Sequence, residues 1–241
     1  MARDRTALVT GANKGIGREI ARRLAELHYI VWLGCRDAGR GEEAAAALRG
    51  EGGDVRFLPL DVADDESVTR AAAALARQTE RLDVLVNNAG IAGEGATPSA
   101  ASIEAMKAIY EVNVFGAVRV TQAFLPLMRA APAGRIVMMS SYLGSLTRLS
   151  DPAHAFHRFN PLAYNSSKSA LNAVTVMFAR ELRGTPIKVN AAAPGYTATD
   201  LNEHSGARTV AEAAEIAVRL ATLRDDGPTG GYFDDQRSLP W

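Results

Sequence analysis

The chain has little that would mark an extracellular, membrane or nucleic-acid-binding protein. Cys35 is the only cysteine in 241 residues. An intramolecular disulfide is therefore excluded, and a reducing, cytoplasmic setting fits. Cys35 itself reads as a small apolar strand residue, with a catalytic thiol as the alternative. Charge of one sign is also missing: 27 Lys and Arg balance 27 Asp and Glu. No basic field for nucleic acid follows from that balance. No apolar run reaches the roughly 18 residues of a membrane span. The opening Met-Ala-Arg-Asp-Arg runs straight into a strand-like segment, without the pattern of a secretory signal. Linkers, internal repeats and charge blocks are absent as well, so residues 1–241 read as a single domain. Hydrophobic residues make up 47%, which excludes disorder and gives a chain of this length a sizeable core.

Strand-like and helix-like segments alternate almost to the end. Strands are predicted at Arg5–Val9, Tyr29–Cys35, Asp54–Leu58, Asp83–Val86, Arg135–Met139, Ile187–Ala191 and near Tyr232–Phe233. Helices are predicted at Ile16–Leu27, Gly41–Arg49, about Glu66–Gln78, Ser99–Val112, Val114–Arg129, Leu162–Leu182 and Val210–Leu223. In the first helix Ile16, Ile20, Ala21, Leu24 and Leu27 fall on one face. Such alternation implies an α/β fold: a doubly wound parallel sheet of seven strands with right-handed crossovers and helices on both faces.

Two local patterns carry chemistry. Tyr164 and Lys168 are four apart, so a helix sets the phenol and the ammonium on one face. A fixed cation beside a phenol favours the phenolate, and a general acid needs its pKa brought down from about 10 toward neutrality. The first strand runs into Thr10-Gly11-Ala12-Asn13-Lys14-Gly15-Ile16-Gly17, and a helix follows at once. Glycines in that context permit a tight turn and close approach of a pyrophosphate to the helix N-terminus.

Together these patterns resemble the short-chain dehydrogenase/reductase family, and the resemblance covers essentially the whole chain. TGANKGIG matches its TGxxxGxG motif, Asn87-Asn88-Ala89-Gly90 its NNAG motif, and Tyr164/Lys168 its YxxxK pair. Pro194-Gly195 matches its PG motif, with Thr197 and Thr199 in the loop over the nicotinamide. Asn113 and Ser141 fall where the family places a helix-kinking asparagine and a catalytic serine. The resemblance implies a Rossmann fold, a nicotinamide cofactor and a catalytic set of Asn113, Ser141, Tyr164 and Lys168. Tyr164 is then the general acid. Lys168 lowers its pKa and holds the ribose, Ser141 polarises the carbonyl, and Asn113 holds a relay water. Ser140 is the rival serine, and the family pattern selects Ser141. Gly11, Asn13, Lys14, Gly15, Ile16 and Gly17 would line the phosphates. Asp61, Val62, Asn87, Ala89 and Gly90 would follow along the cofactor; a helix cap is the alternative role for Asp61.

The second strand ends Gly34-Cys35-Arg36-Asp37. An acid at such a position binds the ribose 2′-hydroxyl of NAD, and an arginine accommodates the 2′-phosphate of NADP. Cys35 takes the place of the family's NAD-selecting aspartate. Arg36, with Asn13, Lys14 and Arg40, points to NADP(H), as in the carbonyl-reductase branch; Asp37 as ribose ligand would give NAD(H). Ser141 and Tyr164 lie farther apart than the family commonly has them, so about 142–161 is an insertion. Its Leu143, Leu146, Leu149, Phe156 and Phe159 suit either a lid over a lipophilic substrate or packing on the next helix. His154 and His157 lack the context of a metal site. Tyr142, Leu143 and Tyr196 are the expected substrate contacts, with about 196–208 as a substrate loop. The insertion precedes a helix that family oligomers bury, which favours a monomer. The expectation is an NADPH-dependent carbonyl reductase. An NAD-dependent alcohol dehydrogenase and a non-catalytic nucleotide sensor are the alternatives.

Overall fold

The structure, a computed structural model, describes residues 5–241. The strands are β1 (Arg5–Thr10), β2 (Tyr29–Cys35), β3 (Val55–Pro59), β4 (Val84–Asn87), β5 (Arg135–Met139), β6 (Lys188–Ala192) and β7 (Tyr232–Phe233). The helices are α1 (Gly15–Glu26), α2 (Ala38–Gly50), α3 (Asp65–Ala76), α4 (Ile103–Tyr110), α5 (Ala117–Arg129), α6 (Leu146–Ser150), α7 (Leu162–Glu181) and α8 (Val210–Ala221). The seven strands form one sheet in the order β3-β2-β1-β4-β5-β6-β7, and each neighbouring pair is parallel.

The pleat sorts the side chains. Ala7, Val9, Val31, Leu33, Val84, Val86 and Val137 pack on α1, α2 and α8 through Ile20, Leu24, Leu48 and Leu220. Their neighbours Leu8, Trp32, Leu85, Ile136 and Met138 pack on α3, α5 and α7 through Leu75, Phe124, Met128 and Phe178. Successive residues of a strand thus feed opposite layers, and short runs apolar on both sides are what a sheet covered on both faces requires. The strand order reverses between β1 and β4. Loops leaving these two strands therefore diverge to opposite faces and leave a crevice beyond their carboxyl ends, the ligand position in open α/β sheets.

Several expected boundaries moved. The third, fourth and sixth strands each sit one residue later than predicted. The two central helices are one continuous helical run, with a π-helical stretch at Glu111–Gly116 joining α4 to α5. Ser102, whose hydroxyl accepts from the Ala105 amide, caps α4 in place of a start at Ser99. The insertion is ordered as α6 flanked by two 3-10 turns, Tyr142–Gly144 and Ala155–Arg158. No described helix is long and apolar enough to cross a membrane.

Candidate active site

The crevice at the strand-order reversal is a cleft of about 800 Å³. Its floor is the turn after β1. Gly11 has φ +62°, and a Cβ there would lie 2.9 Å from the Ala89 Cα of the loop after β4. A Cβ on Gly17 would lie 2.4 Å from Asn88 Nδ2 and 2.7 Å from the Gly11 carbonyl oxygen. Two glycines thus let β1, α1 and the β4 loop close on one another. The Asn88 amide sews the same contact, donating to the carbonyls of Thr10 (2.9 Å) and Gly11 (3.2 Å). Thr10 Oγ1 accepts from the Asn88 and Ala89 amides.

Where α2, α3, α4 and α8 carry a side-chain cap, α1 begins after Lys14 with none. Its first amides and the positive end of its dipole face the cleft without an internal acceptor, which is the arrangement that takes an anionic phosphate. Farther along the cleft stand Arg36, Asp37, Arg40, Asp61 and Val62. The Asp37 carboxylate caps α2, accepting from the Arg40 amide at 3.0 Å. Asp37 is thereby committed locally, and Arg36 is left exposed at the end of β2. Asp61 bonds the Ala63 amide through its carboxylate, at 3.0 Å, while still lining the cleft.

At the opposite end Tyr164 forms the wall, beside Met139 and Ser140. Lys168 is buried behind it. Its Nζ lies 5.6 Å from the centre of the Tyr164 ring and donates to the Met139 carbonyl at 2.8 Å. A Cβ on Gly90 would stand 3.4 Å from Lys168 Nζ and 3.3 Å from Asn113 Oδ1, so both side chains converge on the loop after β4. Adjacent serines take different partners. Ser140 Oγ is buried and donates to Asn172 at 2.6 Å, while the Ser141 side chain is near enough to the Tyr164 phenol to lower its pKa.

The electrostatics differ from the sequence expectation. Burial raises the Tyr164 phenol above its ordinary pKa, and the Ser141 side chain opposes that rise. The depression expected from Lys168 is not produced by the protein surroundings. Burial works on the lysine as well, bringing its pKa down to about 8. The ammonium also lies beneath the ring and bonded to a carbonyl.

Several expected contacts sit elsewhere. Asn87 turns away from the cleft and donates to Thr121 Oγ1 of α5 at 3.0 Å. Strand alternation explains this, because the side chain inside β4 and the one after it point to opposite layers. Asn113 accepts from the Ile91 amide (2.8 Å) and donates to the Ile91 carbonyl (2.9 Å) and Ser167 Oγ (3.0 Å), which spends both amide hydrogens and leaves one lone pair on Oδ1. Tyr142, Leu143 and Tyr196 do not line the cleft. The Tyr142 hydroxyl donates to Asp234 at 3.0 Å and its ring stacks on Phe156; the Leu143 amide donates to Ser141 Oγ; Tyr196 is exposed and bonded to Ser205. Gly195 turns the chain at φ +82°, Thr197 is buried in a bridge to Arg208, and Thr199 is the part of that loop lying over Gly15, with its methyl 3.6 Å from a Cβ built there. Lys14, expected on a phosphate, pairs with Asp200 of the same loop, which also meets His204 at 2.9 Å.

Cys35 lines the cleft at the strand end already singled out, and Leu60, Val112, Ala198, Leu201 and Val210 also line it, unmarked by any motif. Their apolar types carried no signal, and Asn88 was the one missed residue that a motif had already flagged. Within the insertion Phe156 packs on Tyr142 and Phe159, while Leu146 and Phe159 stay exposed. Among the described residues no three His, Cys, Asp or Glu side chains converge as metal ligands.

Residues 5–209 match the sequence model of the short chain dehydrogenase family. The chain belongs to that family. It is 34% identical to (-)-isopiperitenone reductase of Mentha piperita, over 98% of both chains. An NADPH carbonyl reductase of Macaca fascicularis is 33% identical, again over 98% of both. Among solved structures, the NADPH-bound carbonyl reductase from chicken fatty liver superposes with a TM-score of 0.87 at 28% identity, covering 99% of this chain and 100% of that one. Salutaridine reductase of Papaver somniferum gives 0.84 at 30% identity, with 96% and 99% covered.

Proposed function

We propose that this short-chain dehydrogenase is an NADPH-dependent reductase of aldehydes or ketones. The observation that carries the reading is a phenol, Tyr164, at the wall of a nucleotide-sized cleft, with the Ser141 side chain acting on it and the Lys168 ammonium behind its ring. The residues present fit a nicotinamide dinucleotide phosphate. The uncapped start of α1 and the Gly11–Gly17 turn would hold the pyrophosphate. Arg36, freed by the capping role of Asp37, would meet the 2′-phosphate, and Lys168 the nicotinamide ribose. When bound, the cofactor supplies the hydride.

The chain supplies the proton and the charge stabilisation. Ser141 and Tyr164 donate to the carbonyl oxygen as negative charge develops on it. Tyr164 then gives up its phenolic proton to that oxygen, which becomes the alcohol hydroxyl. The phenolate left behind is stabilised by Lys168, which with a pKa of about 8 is mostly protonated near neutrality. Asn113 holds the Ile91 backbone, and through Ser167, which donates to the Tyr164 carbonyl at 2.8 Å, it fixes the helix that bears Tyr164.

The exposed apolar side chains Leu146, Phe159, Tyr196 and Leu201, from the insertion and the 196–208 loop, support a lipophilic substrate. A monomer in the cytoplasm completes the reading, and sedimentation tests the first of these. The deciding experiment is Tyr164→Phe. NADPH binding, read by fluorescence titration, should be unchanged while turnover of a panel of lipophilic carbonyls falls by about 10²–10⁴-fold, the usual weight of a general acid. Retained turnover would remove Tyr164 from the mechanism. A parent protein that binds NADPH yet reduces nothing on the panel would favour the sensor reading.

A further inference from the structure

The segment after α8 reaches back to the turn that carries Ser141. β7 pairs with β6 at the sheet edge, and Tyr232 on β7 is fully buried with Ala191, Ala193 and Leu239. Trp241 stacks on its ring, with centroids 5.4 Å apart and planes at 13°. The Tyr232 hydroxyl donates to the Ser141 main-chain carbonyl, which also accepts from the Gly144 amide. Other bonds to this turn land elsewhere: Asn172 and Ser169 donate to the Gly144 carbonyl, and Ser145 Oγ donates to the Pro240 carbonyl. Among these side chains Tyr232 alone grips Ser141 itself.

The geometry points to Tyr232 as a positioning residue for catalysis: its hydroxyl fixes the Ser141 backbone, and with it the direction in which Ser141 Oγ meets Tyr164 and a carbonyl substrate. No motif marks Tyr232, and it lies 91 residues from Ser141 in the chain. The inference rests on the proposed role of Ser141. The Ser141 side chain turns about a backbone that nothing else in the 232–241 segment holds. Hydrogen-bond donation to a forming oxyanion is sensitive to shifts of a fraction of an ångström.

Tyr232→Phe keeps the ring, its burial and the Trp241 stack, and deletes the hydroxyl alone. Steady-state kinetics with NADPH and the best carbonyl of the panel should show kcat lowered about fivefold to tenfold, with KM for both reactants little changed. The same substitution is then made in Ser141→Ala, whose residual turnover is the reference. There it should have almost no further effect, because the group it positions is gone. An equal loss in both backgrounds, or no loss in the parent, would overturn the positioning role. Full activity of Ser141→Ala would instead overturn the role of Ser141, a separate result. If Tyr232→Phe does not fold, Trp241→Ala loosens the same ring from its outer side. It should give the same kcat loss and the same silence in the Ser141→Ala background, and equal losses there would again refute the proposal.

Discussion

Lys168→Met should make this protein more stable while disabling it. Lys168 is buried at 5% exposure, and burial takes its pKa from 10.5 to about 8. That fall corresponds to about 3 kcal/mol by which the folded state disfavours the ammonium. Methionine matches much of the lysine volume and carries no charge. Against the gain stands the bond to the Met139 carbonyl, worth about 1.5–3 kcal/mol for a charged donor. The expected net stabilisation at pH 7 is about 1 kcal/mol, or roughly 2–4 °C in Tm for a chain of this size. The pH dependence carries the sharper test. Folded Lys168 binds its proton less tightly than the unfolded chain does, so between about pH 8 and 10.5 the unfolded state holds more protons. Stability of the parent therefore rises with pH through that window, whereas below pH 8 the cost is constant. The methionine variant has no such term. Urea unfolding of the cofactor-free proteins at pH 7 and pH 9.5 should show the parent gaining about 2 kcal/mol relative to the variant. A gap between the two proteins that does not change with pH would refute the assignment of a desolvated charge to Lys168.

Arg36→Ala should raise the KM for NADPH by about tenfold or more, as loss of an ion-paired phosphate contact does, and leave that for NADH nearly unchanged. Equal effects on both cofactors would contradict the placement of Arg36 at the 2′-phosphate. Gly17→Ala puts a methyl 2.4 Å from Asn88 Nδ2 and 2.7 Å from the Gly11 carbonyl, so the turn must open. A loss of about 1–3 kcal/mol in stability, with a parallel loss of cofactor affinity, is expected from overpacking and is read by thermal melts with and without NADPH. Asp200→Asn releases Lys14 from its pair across the cleft mouth. NADPH binding should tighten and become more salt-dependent, and calorimetric titration at two ionic strengths checks both.

The sheet was legible because its strands are short, apolar on both sides and regularly spaced, a pattern that local chain geometry imposes wherever it occurs. Catalysis was legible for a different reason: Tyr164 and Lys168 are fixed by the pitch of one helix, so their spacing is written in consecutive residues. The glycine turn is local in the same sense. The expectations that failed depended on partners far along the chain. Whether Asn87 or Asn88 faces the cleft turns on where β4 ends. The direction of the Tyr164 shift turns on how deeply Tyr164 itself is buried.

The sequence by itself determined the order of elements, the phosphate-binding turn and the residues that could act as acid and base. Only the tertiary structure decided the charge state of those residues and the grip of Tyr232 on Ser141. Hydrogen-bond competition and desolvation are properties of surroundings assembled from distant segments, and no window of consecutive residues contains them.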